Sequence, residues 1–521
     1  MKRILICLVP LLLIMMLLFC SCEIGHSDSV GLSYEFDPDT MTCTITGIGE
    51  CTDTSIYIGE FIDGYKVTSI ADRAFFYCNQ IQHVTIPDSV EVIGVEALKA
   101  CENLKTVKLG KGVKVISDRA FSMSSALTEI SIPDGVEIIN DGAFSYCFGL
   151  TKVKLGKGVK EIHPYAFYHA NGIKNFDVSR KNPYFRTIEG SLYSKDGSTL
   201  LIYARGKENS RFVIPDGVTE IKELAFNKCP FLAEVVFPDS LKVIGMDAFL
   251  ECEKITEIII PDSVTDMRSS AFRGCTGLTS AVIGKGLTDI PICAFQNCTS
   301  LKQVILGSNV ASIGNSAFGY CNALESIVIP SSVKTVGDYA FIECTALSEL
   351  TVEQGVEIIG KEAFAYCEAL SELRLPVSVT TINKNAFAYC TGLKTVELAC
   401  TMNTFHPDVF LRCDGLTKLV ISGKIDNIDR SSHKTFTELT ELIIGDGVIN
   451  VGRAFHRCYN LHYVEIGVGV KSFEWDCFSS EAPFTKIYYR GTKNQWDSIA
   501  IHPYDSTLND IEMIYNYSPE G

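Results

Sequence analysis

The dipeptide Ala-Phe returns at one fixed interval along the chain, and this regularity restricts the fold to a stack of near-identical coils. It places Phe75, Phe121, Phe144 and Phe167, with Ala97-Leu98 filling the missing place. The series resumes at Phe226 and runs through Phe249, Phe272, Phe295, Phe318, Phe341, Phe364 and Phe387. Phe410, Phe455 and Phe478 continue it with a slight slip. Each unit reads L-x-x-V-x-I-P-x-x-V-x-x-I-G-x-x-A-F-x-x-C, as from Ile255 to Cys275. Thr256 to Ile260 alternates and is β-branched, so it reads as a strand. Pro261-Asp262-Ser263 reads as a turn, Pro setting φ and Asp supplying a local acceptor. Val264 and Met267 begin the return path, and Ala271-Phe272 suits a short helical turn that plugs Phe into the interior. One such unit cannot bury its own apolar face; stacked on neighbours it can.

This pattern resembles the 23-residue BspA-like, or Treponema-type, leucine-rich repeat, from near Val67 to Phe478. The resemblance implies a right-handed leucine-rich-repeat solenoid with a parallel β-sheet on one face and a short helical turn in each coil. About 17 coils at the ~4.8 Å strand spacing are expected. Some units replace the turn Pro with Gly, as in Gly110-Lys111-Gly112 and Gly284-Lys285-Gly286. The family has no fixed functional motif, so the resemblance implies a fold and a general role but no site.

Departures from the repeat divide the chain. The step from Phe167 to Phe226 exceeds two periods without reaching three, so something interrupts. There, Ser191–Ser194 and Thr199–Tyr203 flank Lys195-Asp196-Gly197-Ser198, a β-hairpin signal opened by Asn182-Pro183-Tyr184-Phe185. Such an insertion is similar to what BspA-like proteins carry. Tyr34 to Gly49 alternates like a small strand pair, and Ile487-Tyr488-Tyr489 with Gly491 to Trp496 resembles the family's closing segment. Open solenoid ends need caps. The expected divisions are 1–22 signal, 23–66 N-terminal β cap, 67–175 solenoid, 176–212 hairpin insertion, 213–480 solenoid and 481–521 C-terminal cap.

The first 22 residues read as an export signal. Lys2 and Arg3 precede an apolar run from Ile4 to Phe19, interrupted only by Pro10. Leu18-Phe19-Cys20-Ser21-Cys22 resembles a bacterial lipobox, in which Cys22 is lipidated and anchors the mature chain to the membrane. A cleaved secretory signal and a retained anchor stay as alternatives, the run being short for a span. The formal charge of −16, with no Lys/Arg stripe, argues against nucleic acid as a partner.

Thirteen of the 21 cysteines fall at the last position of the repeat, from Cys78 to Cys458. No C-x-x-C pair exists, so zinc ligation is not expected. Ser124 and Ala170 share the column, which points to a small buried filler. Cys43 and Cys51 in the cap are the pair worth testing for a bridge. The nine histidines form no H-E-x-x-H, and none stands by a G-x-S-x-G elbow. His456 and His462, near Glu465, read as surface histidines, and the recurrent Pro-Asp (Asp88, Asp134, Asp216, Asp239, Asp262) reads as turn formation rather than a calcium edge. Tyr193, Asp196 and Tyr203 on the hairpin have no partner base. No catalytic residue, metal or cofactor is expected.

One column is not demanded by the fold. The residue between the last two core positions of each strand should face outward on the concave side. It reads Lys108, Ser131 and Lys154, then Val236, Ile259, Val282, Ile305 and Val328, then Thr351, Arg374, Glu397, Val420, Ile443 and Glu465. Five aliphatic coils in a row, bordered by charge, read as a contact strip, although β-propensity also favours Val and Ile. The expectation is a non-enzymatic, lipid-anchored surface protein that binds an extracellular or envelope protein through these five residues. A glycan fits the aliphatic strip less well. The alternative is a structural envelope rod without a specific soluble ligand.

Overall fold

A computed structural model describes residues 28–430, 436–502, 508 and 511–519. The signal segment, Cys22, His26 and His433 lie outside them. The chain divides into two compact units, the first ending at Phe167 and the second beginning at Tyr168.

In the first unit, Ser33–Asp37 and Thr42–Gly47 form an antiparallel pair, with Glu35 opposite Thr44. Thr42–Gly47 then runs parallel to Tyr65–Ile70, which opens a parallel series through Val92–Ile93, Val115–Ile116, Ile138–Ile139 and Glu161–Ile162. A second parallel set carries Ser55–Tyr57, His83–Thr85 and Thr106–Lys108, and a third pairs Glu129–Ile132 with Lys152–Leu155. Each coil therefore contributes two strands, one before the Pro turn and one after it. The return path is a second parallel sheet rather than plain connection.

The second unit repeats this plan. The strands before the turn include Arg211–Val213 paired with Glu234–Val236, then Glu257–Ile260, Ser280–Ile283, Gln303–Ile305, Ser326–Ile329 and Glu349–Val352 in one sheet. Glu372–Leu375 opens another sheet that ends at Glu512–Ile514. Phe185–Ile188, Ser191–Ser194 and Thr199–Ile202 form an antiparallel meander, one strand more than the hairpin expected from Asp196-Gly197. Its last strand runs parallel to Glu220–Ile221 and so joins the short-strand sheet. The interrupted repeat is restored at once. Tyr203 stands one period before Phe226, stacks on it at 4.9 Å and donates its N–H to Ala225 O.

The expected helical turn at Ala-Phe is not a helix. In the coil around Phe272, the N–H groups of Ser270, Phe272 and Gly274 donate to Ile292, Ala294 and Gln296 of the next coil. Between them, the N–H groups of Arg273 and Cys275 bond locally, to Ser270 and Phe272. An α-helix needs every N–H for its own i−4 carbonyl. Here half of them hold the next coil, and the chain turns through left-handed φ at Ser270 (59°) and Gly274 (72°) instead. Among the described residues the helices are a 3-10 turn at Pro407–Phe410 and an α-turn at Lys493–Trp496, the latter capped reciprocally by Thr492 and Gln495. The solenoid has about 20 turns of roughly 23 residues, more than expected, because cap segments and the insertion also complete turns. No described helix is long and apolar enough to cross a membrane.

The core is a set of columns. Ile255, Ile258, Ile260, Val264, Met267, Ala271, Phe272 and Cys275 are all buried. The Phe rings stack face to face from coil to coil, as Phe295 on Phe318 at 5.4 Å with planes 1° apart. Complete burial of each such side chain contributes about 1.5–3 kcal/mol. Glycine at the turn is a matter of space: a Cβ on Gly110 would stand 2.0 Å from Pro87 O of the preceding coil.

Candidate functional site

The strand before the Pro turn alternates strictly. Ile258 and Ile260 point into the core, so Glu257 and Ile259 must point out. Parallel pairing then lines the outward residues up coil by coil. Val213 pairs with Val236, Ile259 with Val282, and Val282 with Ile305, while Val328 faces Thr351. Ile259, Ile305 and Val328 are 57, 53 and 51% exposed; Val236 and Val282 are half-buried between their neighbours. All five residues expected from the sequence lie on this face. Val213, 49% exposed, extends the ladder by one coil. It stands one period before Val236, but the insertion breaks the count just ahead of it.

Polar residues border the strip. Glu234, Glu257 and Gln303 are exposed along one side, and Arg211 is ion-paired to Glu234 at 2.8 Å. Beyond Val328 the column turns polar at Thr351 and Arg374, whose coils line an open hollow of about 460 Å³ with Glu349 and Glu372. Glu465, expected on the exposed column, is instead buried. Its carboxylate accepts from Arg490 Nη2 at 2.5 Å and from the Tyr463 hydroxyl at 2.9 Å. The closing segment, which supplies Arg490, covers that coil; a repeat pattern alone does not show where coverage begins.

The cysteine column has a definite bonding role. Cys275 Sγ donates to Phe249 O of the preceding coil at 3.2 Å, and Cys298 to Phe272 O at 3.2 Å. Where Ser124 replaces Cys, its hydroxyl makes the same bond, to Leu98 O at 3.1 Å. The column thus holds a small buried donor, and Ala170 fills it without one. Desolvation pushes the thiols of Cys101, Cys147 and Cys321 up to about 12, so they are neutral. Cys43 and Cys51 are separate buried thiols.

The other polar groups singled out in the sequence are held in local structure. Asp88, Asp134 and Asp262 each accept the N–H of the Lys one coil later, at 2.8–2.9 Å, tying turn to turn. His456 Nδ1 meets Arg453 O and His462 Nδ1 meets Asn460 O. Asp196 is held to about 2 by the Ser194 and Ser198 hydroxyls and the Ser198 N–H of its own turn. Tyr193 and Tyr203 are buried, and desolvation pushes both phenols up, so neither presents a base beside Asp196. Among the described residues no three His, Cys, Asp or Glu side chains converge as metal ligands would.

The profile of the BspA type leucine-rich-repeat region matches residues 57–189, 203–325, 312–440 and 426–515. The chain belongs to this family. A leucine-rich repeat protein from Eubacterium ventriosum shares 22% identity at a TM-score of 0.55, the match covering 65% of this chain and 93% of that one. One from Bacteroides ovatus shares 24% at a TM-score of 0.50, over 81% of this chain and 94% of that one. A leucine rich cell surface protein from Faecalibacterium prausnitzii shares 27% at 0.41, over 63% and 94%. No curated protein matches the sequence. The first two likenesses show the leucine-rich-repeat fold.

Proposed function

We propose that the chain is an exported, non-enzymatic binding scaffold whose exposed strand face in the second unit recognises a protein. The observation that carries this reading is the unbroken aliphatic ladder of Val213, Val236, Ile259, Val282, Ile305 and Val328. An exposed apolar strip of this length, rimmed by Glu234, Glu257 and Gln303, has the anatomy of a protein contact: apolar centre, polar rim. BspA-type membership supports it, since stacked repeats of this kind serve as extended interaction surfaces. The signal-like start and Cys22 extend the reading to a lipid-anchored surface protein. The partner is an extracellular or envelope protein, and a glycan suits this aliphatic face less well.

The test is a binding screen of the full chain against purified extracellular matrix, cell-surface and envelope proteins. Saturable binding lost in the Ile259→Lys, Ile305→Lys double variant supports the reading. Binding that the double variant retains removes the ladder from it. A well-folded chain that binds nothing in the screen turns the reading toward a structural envelope rod. Radiolabelled palmitate incorporation, abolished in Cys22→Ala, tests the anchor.

A further inference from the structure

The insertion carries a second feature, independent of the aliphatic ladder. The chain as a whole is acidic at −16, yet between Lys174 and Arg211 eight Lys and Arg face four Asp and Glu. Part of that charge lines a hollow of about 370 Å³ between Asn175–Arg180 and the first strand of the meander. Its cations are Arg180, Arg186 and Lys195. Among the described residues, Arg180 and Arg186 enter no ion pair, unlike Lys174 and Arg211, which are paired to Glu208 and Glu234. Arginines left unpaired around a concave site attract an anion, and the guanidinium fork matches a carboxylate.

The walls are held in place before any ligand arrives. Thr187 Oγ1 donates to Phe176 O at 2.8 Å and accepts from the Val178 N–H at 3.3 Å, clamping strand to strand. Buried Asn182 accepts the N–H groups of Tyr184 and Phe185 through Oδ1, at 2.8 Å each, and fixes the loop after Arg180. Lys195 is tethered by Asn182 O at 2.5 Å. Phe176 and Phe185 are buried behind this lining and back the hollow with packed apolar side chains.

The lining is more than cationic. Asn175, Ser179 and Thr187 add neutral hydrogen-bonding groups, and Asp177 adds an acceptor that a site for a bare anion would not carry. Two arginines for a carboxylate, with Asp, amide and hydroxyl groups for the hydroxyls of a ring, together describe an acidic sugar. The volume is at the small end for a ligand site and admits about one such ring. We propose that this hollow binds a carboxylate-bearing sugar residue, a uronic acid unit of a larger glycan.

The test is calorimetric titration of the full chain with digalacturonate, with neutral lactose and with tetraglutamate as comparators. The expected result is saturable binding of digalacturonate alone, weakening as salt rises and at least about tenfold weaker in Arg180→Gln, Arg186→Gln. Ser179→Glu, which sets a carboxylate into the hollow, should abolish it even if the arginine variant folds poorly. Ile259→Lys with Ile305→Lys should leave it unchanged. No binding, equal binding of lactose, equal binding of tetraglutamate, or binding that survives Ser179→Glu would each overturn the proposal.

Discussion

The two units present strand faces built on the same core and dressed differently. In the first, the outward column reads Thr85, Lys108, Ser131 and Lys154, and Lys154 is paired with exposed Glu129. In the second, it reads Val213 through Val328 without a polar residue. Beneath both lie the same buried columns, with Phe121 on Phe144 and Phe295 on Phe318 stacked at nearly the same spacing. The inward residues are held to one pattern because each must fill the space its neighbour leaves. The outward residues are under no such demand, so a run of six aliphatic residues there is a feature the fold does not require.

The comparison breaks first if the cores are not equivalent. Phe144→Ala in the first unit and Phe295→Ala in the second should each cost about 3–5 kcal/mol in chemical denaturation, and similarly to one another. A loss under about 1 kcal/mol in either would mean that its column is not a packed core. Next is the cysteine column. Cys298→Ala removes the donor to Phe272 O and should cost about 1–2 kcal/mol, whereas Cys298→Ser should cost less, since Ser124 already makes that bond.

Alkali should separate the units. An unfolded thiol gives up its proton near its ordinary value of 9.0, while Cys101, Cys147 and Cys321 hold theirs to about 12. Between those values the folded chain binds more protons than the unfolded one. Their contribution is therefore complete below pH 9 and is lost as pH rises toward 12. In the second unit burial also pushes up the thiols of Cys229, Cys275, Cys298, Cys344, Cys367 and Cys413, so hydrogen exchange above pH 9 should show it loosening before the first unit. Simultaneous loosening would count against the column as the cause. The smallest effect is expected on the strand faces themselves. Ile259→Lys with Ile305→Lys, and Lys108→Val in the first unit, should each stay within about 0.5 kcal/mol per site of the parent in thermal melts. A larger loss in the first pair would mean that the ladder serves the fold.

The repeat period, the strand before the Pro turn, the buried columns and the outward placement of five of the ladder's six residues were legible because they follow from periodicity alone. Val213 was hidden by the insertion just ahead of it. Hydrogen bonds that leave the coil were not legible. Ala271-Phe272 looks like the start of a helical turn, but the Phe272 N–H is committed to Ala294 of the next coil. Glu465 sits in the correct column and is buried because Arg490, from beyond the repeats, folds over it. Tyr203 continues the Phe column, hidden by a change of residue type after the insertion.

The amino-acid sequence by itself determined that this protein is a stack of short repeated coils, which residues face inward and which form an aliphatic row outside. Local alternation and a fixed period carry that information. Only the tertiary structure decided that the described coils are built on two strands with almost no helix, that the cysteines are hydrogen-bond donors, and that Arg180, Arg186 and Asp177 share one hollow. Those outcomes depend on which neighbouring coil or inserted strand receives a given backbone or side-chain group, and no single repeat contains both partners.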